Sequence, residues 1–231
     1  MENILLKEKL ALSQSKVAKK VTSWKSSNLS KAGFYAEFGK RGFDLFISGL
    51  VMIFILSWLY PVIAMLIKLS SKGPVLFKQW RHGQYNKPFL CYKFRTMVEN
   101  DEADIKQATK NDNRVTWIGK FLRATSMDEL PQVLNVIKGE MSIVGPRPHA
   151  MPMNRQFSRN IDNYMGRHYV KPGITGLAQC KGFRGEIKDF FDIYSRYKLD
   201  MFYSKKYCLL LDIKIVVLTA RSLLLGETNA Y

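Results

Sequence analysis

The sequence predicts an α+β fold that is mainly helical, with a re-entrant membrane helix near the N-terminus, a small β-hairpin and interfacial amphipathic helices. Three observations predict it. Residues 45–67 form a 23-residue run without a formal charge. Residues 75–80 and 89–96 are short runs rich in aromatic and β-branched side chains, joined by Gly83-Gln84-Tyr85-Asn86-Lys87-Pro88, the pattern of a hairpin with a longer loop. Later segments, residues 128–138 and 209–225 among them, repeat apolar residues at helical spacing between charged ones. The 231 residues suffice for one domain with a real core plus appendages. They divide into a basic extension at 1–38, a membrane-associated helix at 39–72 and a single soluble domain at 73–231.

The extension is Lys- and Ser-rich with scattered apolar residues such as Leu5, Leu6, Leu10, Val17 and Trp24. It suits a basic amphipathic helix lying on anionic lipid, and it suits disorder equally well. As a helix, residues 45–67 would reach about 34 Å at ~1.5 Å per residue, enough to cross a bilayer. They do not read as a signal peptide, because a long segment precedes them and no small-residue cleavage site follows. A single span is the plain reading. Residues 1–43, however, carry nine Lys and Arg against three acids, and Lys68, Lys72, Lys78 and Arg81 follow the run. The positive-inside rule then wants both flanks on the cytoplasmic side. A helix broken near its middle would return to the face it entered, and Pro61 offers the break: it lacks an N–H and clashes with the carbonyl of Ser57. The span and the re-entrant hairpin both remain open at this point.

On the second hairpin strand Phe89, Cys91, Lys93 and Arg95 share one face, and Leu90, Tyr92 and Phe94 the other. Lys93 and Arg95 beside a glycine-containing loop suit either an anion cradle or a solvated basic edge. Residues 99–114 are polar and acidic, a surface loop or short helix. The helix expected at 128–138 ends at Gly139, a good C-cap. Arg147 sits between Pro146 and Pro148, so its backbone is held extended. Residues 171–176 are turn-rich. In 209–225, Leu209, Leu210, Ile213, Val217, Ala220 and Leu224 fall on one face, which suits an interfacial or core helix better than a span.

Thirty-six Lys and Arg against nineteen Asp and Glu leave a net charge of +17, which favours polyanions: nucleic acid, anionic lipid or phosphorylated substrates. Three cysteines at no metal-like spacing argue for a reducing compartment and against a disulfide framework. There is no Walker loop, no HExxH and no Cys/His cluster.

The run Ser126-Met127-Asp128-Glu129-Leu130-Pro131-Gln132 carries the chemistry. Its bland reading is a helix cap, with Ser126-x-x-Glu129 as a capping box or Asp128 as the N-cap. The second register places Pro131 harmlessly in the first turn. The functional reading gives the two carboxylates different jobs, since successive helix side chains diverge by about 100°. One carboxylate can attack phosphorus to give an acyl phosphate. The other can bind Mg²⁺, which takes few protein oxygens and keeps several waters. Lys93, Arg95, Arg114, Arg123 and Arg147 are available to hold phosphate oxygens.

With these residues in view, the chain resembles the bacterial sugar transferases, the monotopic phosphoglycosyl transferases. The resemblance runs over about residues 40–231. It is carried by Lys40-Arg41 with Asp44, Gly73-Pro74 with Gln79, Arg81 and Gly83, Lys93-Phe94-Arg95-Thr96-Met97, Arg114 and Thr116. It continues through Asp128-Glu129-Leu130-Pro131-Gln132, Gly145-Pro146-Arg147-Pro148 and residues 171–179. It implies a catalytic aspartate at Asp128, a metal-binding glutamate at Glu129 with Mg²⁺ as cofactor, and Arg147 beside a nucleotide diphosphate. Asp200 joins the candidate site through a weaker block. The implied reaction moves a sugar 1-phosphate from a UDP-sugar to undecaprenyl phosphate with release of UMP, at the cytoplasmic face of a bacterial inner membrane. It would be the first membrane step of exopolysaccharide, capsule or O-antigen assembly.

A narrower resemblance, to undecaprenyl-phosphate glucose phosphotransferases, rests on His149-Ala150, Gly182-Phe183-Arg184-Gly185-Glu186 and Asn229-Ala230-Tyr231. It implies UDP-glucose as donor, with UDP-galactose or a UDP-N-acetyl sugar as alternatives, and suggests that the chain corresponds to the catalytic part of longer relatives. The family usually breaks its membrane helix at a Ser-Pro pair, whereas Ser57 and Pro61 are separated here, so the hinge falls at one or the other. A homodimer is left open, and nucleic acid is not expected as a partner. The rival reading is a membrane-tethered nucleic-acid-binding or scaffold protein, which the charge permits but no nucleic-acid motif supports.

Overall fold

The computed structural model describes residues 34–99, 112–185, 187 and 189–225. Most of the basic extension, most of the acidic loop, Glu186 and the C-terminal Asn229-Ala230-Tyr231 lie outside the described residues. The described part is mainly helical, as its sequence patterns require, with a two-stranded antiparallel hairpin and a second, parallel pair of short strands.

A turn of π geometry, Tyr35–Gly39, leads into helix α1, Lys40–Ser70, which is long and apolar enough to cross a membrane by length and composition. Much of its apolar surface, including Phe46, Ile53, Phe54 and Trp58, is exposed. The backbone stays right-handed through Pro61, and the departure from α geometry comes earlier, in the π turn Met52–Leu56. There the hydroxyl of Ser57 donates to the carbonyl of Ile53 at 2.5 Å and Trp58 Nε1 donates to Phe54 O at 2.9 Å. These bonds satisfy carbonyls that a widened turn leaves under-bonded.

Both ends of α1 are fastened to the soluble domain. Near its start, buried Asp44 accepts from Ser142 Oγ at 2.9 Å and from the Ile143 amide at 3.0 Å. Lys40 Nζ lies between Asp44 and Asp212, at 3.2 and 2.7 Å. Past its end, Arg95 donates to the carbonyls of Lys72 and Ser71 at 2.6 and 2.7 Å. Gly73, at φ 117°, permits that approach, since a Cβ there would stand 2.0 Å from the Arg95 guanidinium. Between the ends, Leu56, Ile63 and Ile67 are buried in one cluster with Phe94, Ile118, Leu122 and Val133.

Strands β1 (Leu76–His82) and β2 (Pro88–Phe94) pair antiparallel from Leu76↔Phe94 to His82↔Pro88. Their loop turns through Tyr85 and Asn86, both left-handed. Helix α2 (Trp117–Ala124) opens on Thr116, whose hydroxyl accepts from the Gly119 amide, a side-chain N-cap. Helix α3 (Gln132–Lys138) closes on Gly139 at φ 84°, as expected. Strands β3 (Ser142–Val144) and β4 (Gly173–Thr175) pair parallel. Three-residue strands give too short a pattern to be read from sequence. Between them lie α4 (Met151–Asn160) and a 3₁₀ stretch, Tyr164–Tyr169. Helices α5 (Leu177–Cys180), α6 (Phe190–Lys206) and α7 (Leu209–Leu224) complete the chain.

The central core joins Phe89, Cys91, Val136, Met141, Ile143, Val144, Tyr203 and Ile215. Helix α7 buries Asp212 and Ile215 on its inner side and exposes Leu209, Leu210, Ile213 and Val217. The apolar stripe read from its sequence therefore faces outward. Trp117 and Phe121 on α2, and Phe190, Phe191 and Phe202 on α6, are exposed as well.

Candidate active site

The motif at 126–132 folds as a tight 3₁₀ turn, Met127–Glu129, entered through Ser126 in the left-handed region at φ 58°. Helix α3 follows with Pro131 at its N-cap position. Neither Ser126 nor Pro131 makes a side-chain cap bond, so the expected capping box is replaced. The left-handed Ser126 turns the chain so that Asp128 and Glu129 are buried toward the hairpin and the Gly145–Pro148 turn instead of closing their own helix end. The two residues are 9% and 6% exposed.

Glu129 is saturated with positive charge. Arg147 forks onto it, NH1 to Oε2 at 3.0 Å and NH2 to Oε1 at 2.5 Å, the bidentate geometry that makes Arg–carboxylate pairs strong. Lys93, projecting from β2, donates to Oε1 at 2.7 Å. Among the described residues Asp128 has only Lys93 Nζ, at 3.5 Å, long for a hydrogen bond. The two acids consequently titrate apart. Burial pushes the Asp128 carboxyl above the ordinary aspartate range, with the Glu129 charge adding to it and Lys93, Arg123 and Arg147 opposing. Burial acts the same way on Glu129, but the charges and hydrogen bonds of Arg147 and Lys93 overcome it and hold Glu129 well below the glutamate range. One acid is locked as a carboxylate among cations. The other is the more basic of the two.

The other expected residues divide. Arg123 flanks Asp128 electrostatically and donates from Nε to Thr96 Oγ1 at 2.9 Å. Arg95 points the other way and binds the end of α1. Arg114 pairs with Asp112, Nε to Oδ1 at 2.9 Å and NH2 to Oδ2 at 2.6 Å. Neither joins the carboxylate pair: Arg95 follows the last strand residue, Phe94, where the ladder no longer holds its side chain on the Lys93 face, and Asp112 neutralises Arg114 locally. Asp200 is buried behind Arg147, against Arg167, and does not face Asp128 or Glu129.

Arg184 belongs to the site and was not among the expected residues: its NH2 donates to Ser126 Oγ at 2.8 Å. The available signal was its pair of flanking glycines, since Gly182 and Gly185 both adopt positive φ, at 88° and 87°, and shape the loop that presents it. Arg81 and Arg167 support the site from behind, and no spacing in the sequence announces them.

Among the described residues no cluster of three or more His, Cys, Asp or Glu forms a ready metal cage. A magnesium ion fits the donors present in a narrower sense. Both acids offer hard oxygens, and Glu129 Oε2 accepts one bond where a carboxylate oxygen has two lone pairs.

The sequence profile of the family described as "Bacterial sugar transferase" matches residues 35–226. The UDP-glucose:undecaprenyl-phosphate glucose-1-phosphate transferase of Klebsiella pneumoniae is 52% identical over 182 residues, 78% of this chain and 39% of that protein. The like-named protein of Xanthomonas campestris pv. campestris is 52% identical over 171 residues, 73% of this chain and 35% of that one. A UDP-N-acetylgalactosamine-undecaprenyl-phosphate N-acetylgalactosaminephosphotransferase of Aeromonas hydrophila is 44% identical over 190 residues, 82% of this chain and 44% of that protein. The matched stretch is under half the length of each of these relatives.

Proposed function

The chain belongs to the bacterial sugar transferase family, and from that premise we propose that it transfers glucose 1-phosphate from UDP-glucose to undecaprenyl phosphate and releases UMP. The observation that carries the reading is the split pair: Glu129 is held by two cations while Asp128 stands beside it with, among the described residues, no close hydrogen bond, and with a raised affinity for protons.

In this mechanism an Asp128 carboxylate oxygen attacks the phosphorus that bears the sugar. A P–O bond forms to Asp128 as the bond to the bridging oxygen of the diphosphate breaks, and UMP departs with that oxygen. An oxygen of the lipid phosphate then attacks the same phosphorus, yields the lipid diphosphosugar and returns Asp128 to its ionised form. Burial of Asp128 removes water that would otherwise hydrolyse the acyl phosphate. Arg147 and Lys93 hold Glu129 in place, and Arg123 and Arg184 supply positive charge on the Asp128 side for the diphosphate oxygens. Glu129 and Asp128 are the residues that would hold Mg²⁺, which when bound neutralises diphosphate charge.

The reading places α1 in the cytoplasmic leaflet of a membrane as a re-entrant element. Support comes from its two fastened ends. A straight helix of 31 residues would extend about 46 Å, yet Asp44 and Arg95 tie its opposite ends into the same soluble domain. The outward apolar faces of α2, α6 and α7 suit contact with the same lipid surface. Glucose as the sugar rests on the names of the most similar relatives, and an N-acetylgalactosamine enzyme at 44% identity keeps the alternative donor in view. The test is UMP release by purified protein in detergent with undecaprenyl phosphate and UDP-glucose, with and without Mg²⁺. Release that needs all three components supports the reading; its absence with every UDP-sugar defeats it.

A further inference from the structure

The Arg147 guanidinium is the strongest partner of Glu129, and what holds Arg147 itself is a buried group 20 residues further on. Arg167, 1% exposed, donates from NH2 to the carbonyl of Arg147 at 2.7 Å. Its Nε and NH2 donate to Asp200 Oδ2 at 3.0 and 2.5 Å. Its NH1 lies 3.1 Å from His149 Nδ1 and 3.2 Å from the Tyr164 hydroxyl. These five contacts match the five N–H groups of a guanidinium. A permanently charged side chain is buried so completely only when paired, and Asp200, itself 3% exposed, is its counter-charge.

The same turn is gripped at two further points. Arg81 NH1 donates to the carbonyl of Pro148, and the Gly173 amide donates to Pro146 O at 3.0 Å. Three consecutive carbonyls, those of Pro146, Arg147 and Pro148, are thus fixed by three different elements. Among the described residues only Arg167 binds the backbone of the residue whose side chain meets Glu129. We infer that Arg167 and Asp200 form a positioning pair, which sets the Arg147 fork against Glu129 although neither touches the two site carboxylates. The inference rests on the proposed function for its consequence in turnover and on the geometry alone for its effect on Arg147.

The experiment is a double-mutant cycle with a spectroscopic arm. Arg167→Lys keeps the charge but loses the fork. Asp200→Asn keeps the shape and one acceptor and serves if Arg167→Lys does not fold. Each is made in the wild-type and in the Arg147→Gln background, and kcat and KM for UDP-glucose are measured separately. A positioning role predicts a fall in kcat of roughly 100-fold in the wild-type background, as expected when a reacting group is displaced by about 1 Å. In the Arg147→Gln background the same change should cost less than about threefold, because the interaction it served is already gone. Equal losses in both backgrounds would overturn the inference.

In parallel, ¹⁵N-arginine spectra of the intact protein report Arg147, assigned by its loss in Arg147→Gln. Its guanidinium N–H signals should be resolved in wild type and averaged in the Arg167 or Asp200 variant. Unchanged Arg147 signals would also overturn the inference. Because this arm needs no turnover, a protein inactive on every UDP-sugar would defeat the proposed function and still leave the positioning pair to be decided.

Discussion

At the scale of residues, two adjacent acids have opposite electrostatics. Asp128→Asn removes a charge that burial disfavours. The folded state binds the Asp128 proton more tightly than the unfolded chain does, so ionising Asp128 costs stability as pH rises through its range. The amide should therefore be as stable as wild type at pH 7, or more so, while activity drops by several orders of magnitude. Thermal melts alongside UMP release check both parts. Glu129→Gln should do the reverse to stability. It strands Arg147 and Lys93 without their counter-charge, at a cost of about 3 kcal/mol, read by urea unfolding. The Glu129 contribution is fully present above the ordinary glutamate range and fades as pH falls through its depressed folded value, so the gap between wild type and variant should narrow in acid. Asp128 must be ionised to attack, so the acid limb of kcat/KM should sit above the ordinary aspartate value of 3.8. A limb at or below that value would contradict the burial argument.

Among the elements, the hairpin and α3 were legible because two-residue alternation and a glycine stop are local signals. The parallel pair β3–β4 was not, since three residues carry no period and its partner lies across α4. The cap reading of Asp128 failed because a left-handed serine, Ser126, redirected the chain, and nothing in a serine's identity announces that conformation. Arg95 shows the same limit from another side. Strand alternation put it on the Lys93 face, but it lies one residue past the last paired position, Phe94, and the open carbonyls that follow α1 claimed it. Lys93 and Arg147 reach Glu129 by short, direct routes from rigid elements. The resemblance pointed to Asp200 as a site residue, whereas the fold pairs it with Arg167 behind the Arg147 turn. For α1, the fastened ends predict that cysteines introduced at Ser30 and Lys72, in a cysteine-free background, label only from the cytoplasmic side. Periplasmic labelling of the Ser30 site would establish a span.

At the scale of the whole molecule, the +17 charge, the apolar helix and the exposed aromatic faces of α2 and α6 are what the proposed function asks of a body that would work at an anionic lipid surface on anionic substrates. The sugar is the least constrained feature, because a site discriminates hydroxyl and amide patterns through buried polar partners that composition does not reveal. Radiolabelled donors offered in parallel should show UDP-glucose preferred over UDP-galactose and UDP-N-acetyl sugars by at least ~10-fold. Preference for an N-acetyl sugar would change the donor and leave the chemistry intact. The chemistry is tested most directly by incubating the protein with UDP-glucose in the absence of lipid acceptor and measuring its intact mass. A glucose-phosphoryl adduct on Asp128 is expected, formed with equimolar UMP, absent from Asp128→Asn and discharged by undecaprenyl phosphate. Turnover that proceeds with no adduct, requiring donor and lipid to be bound together, would contradict it.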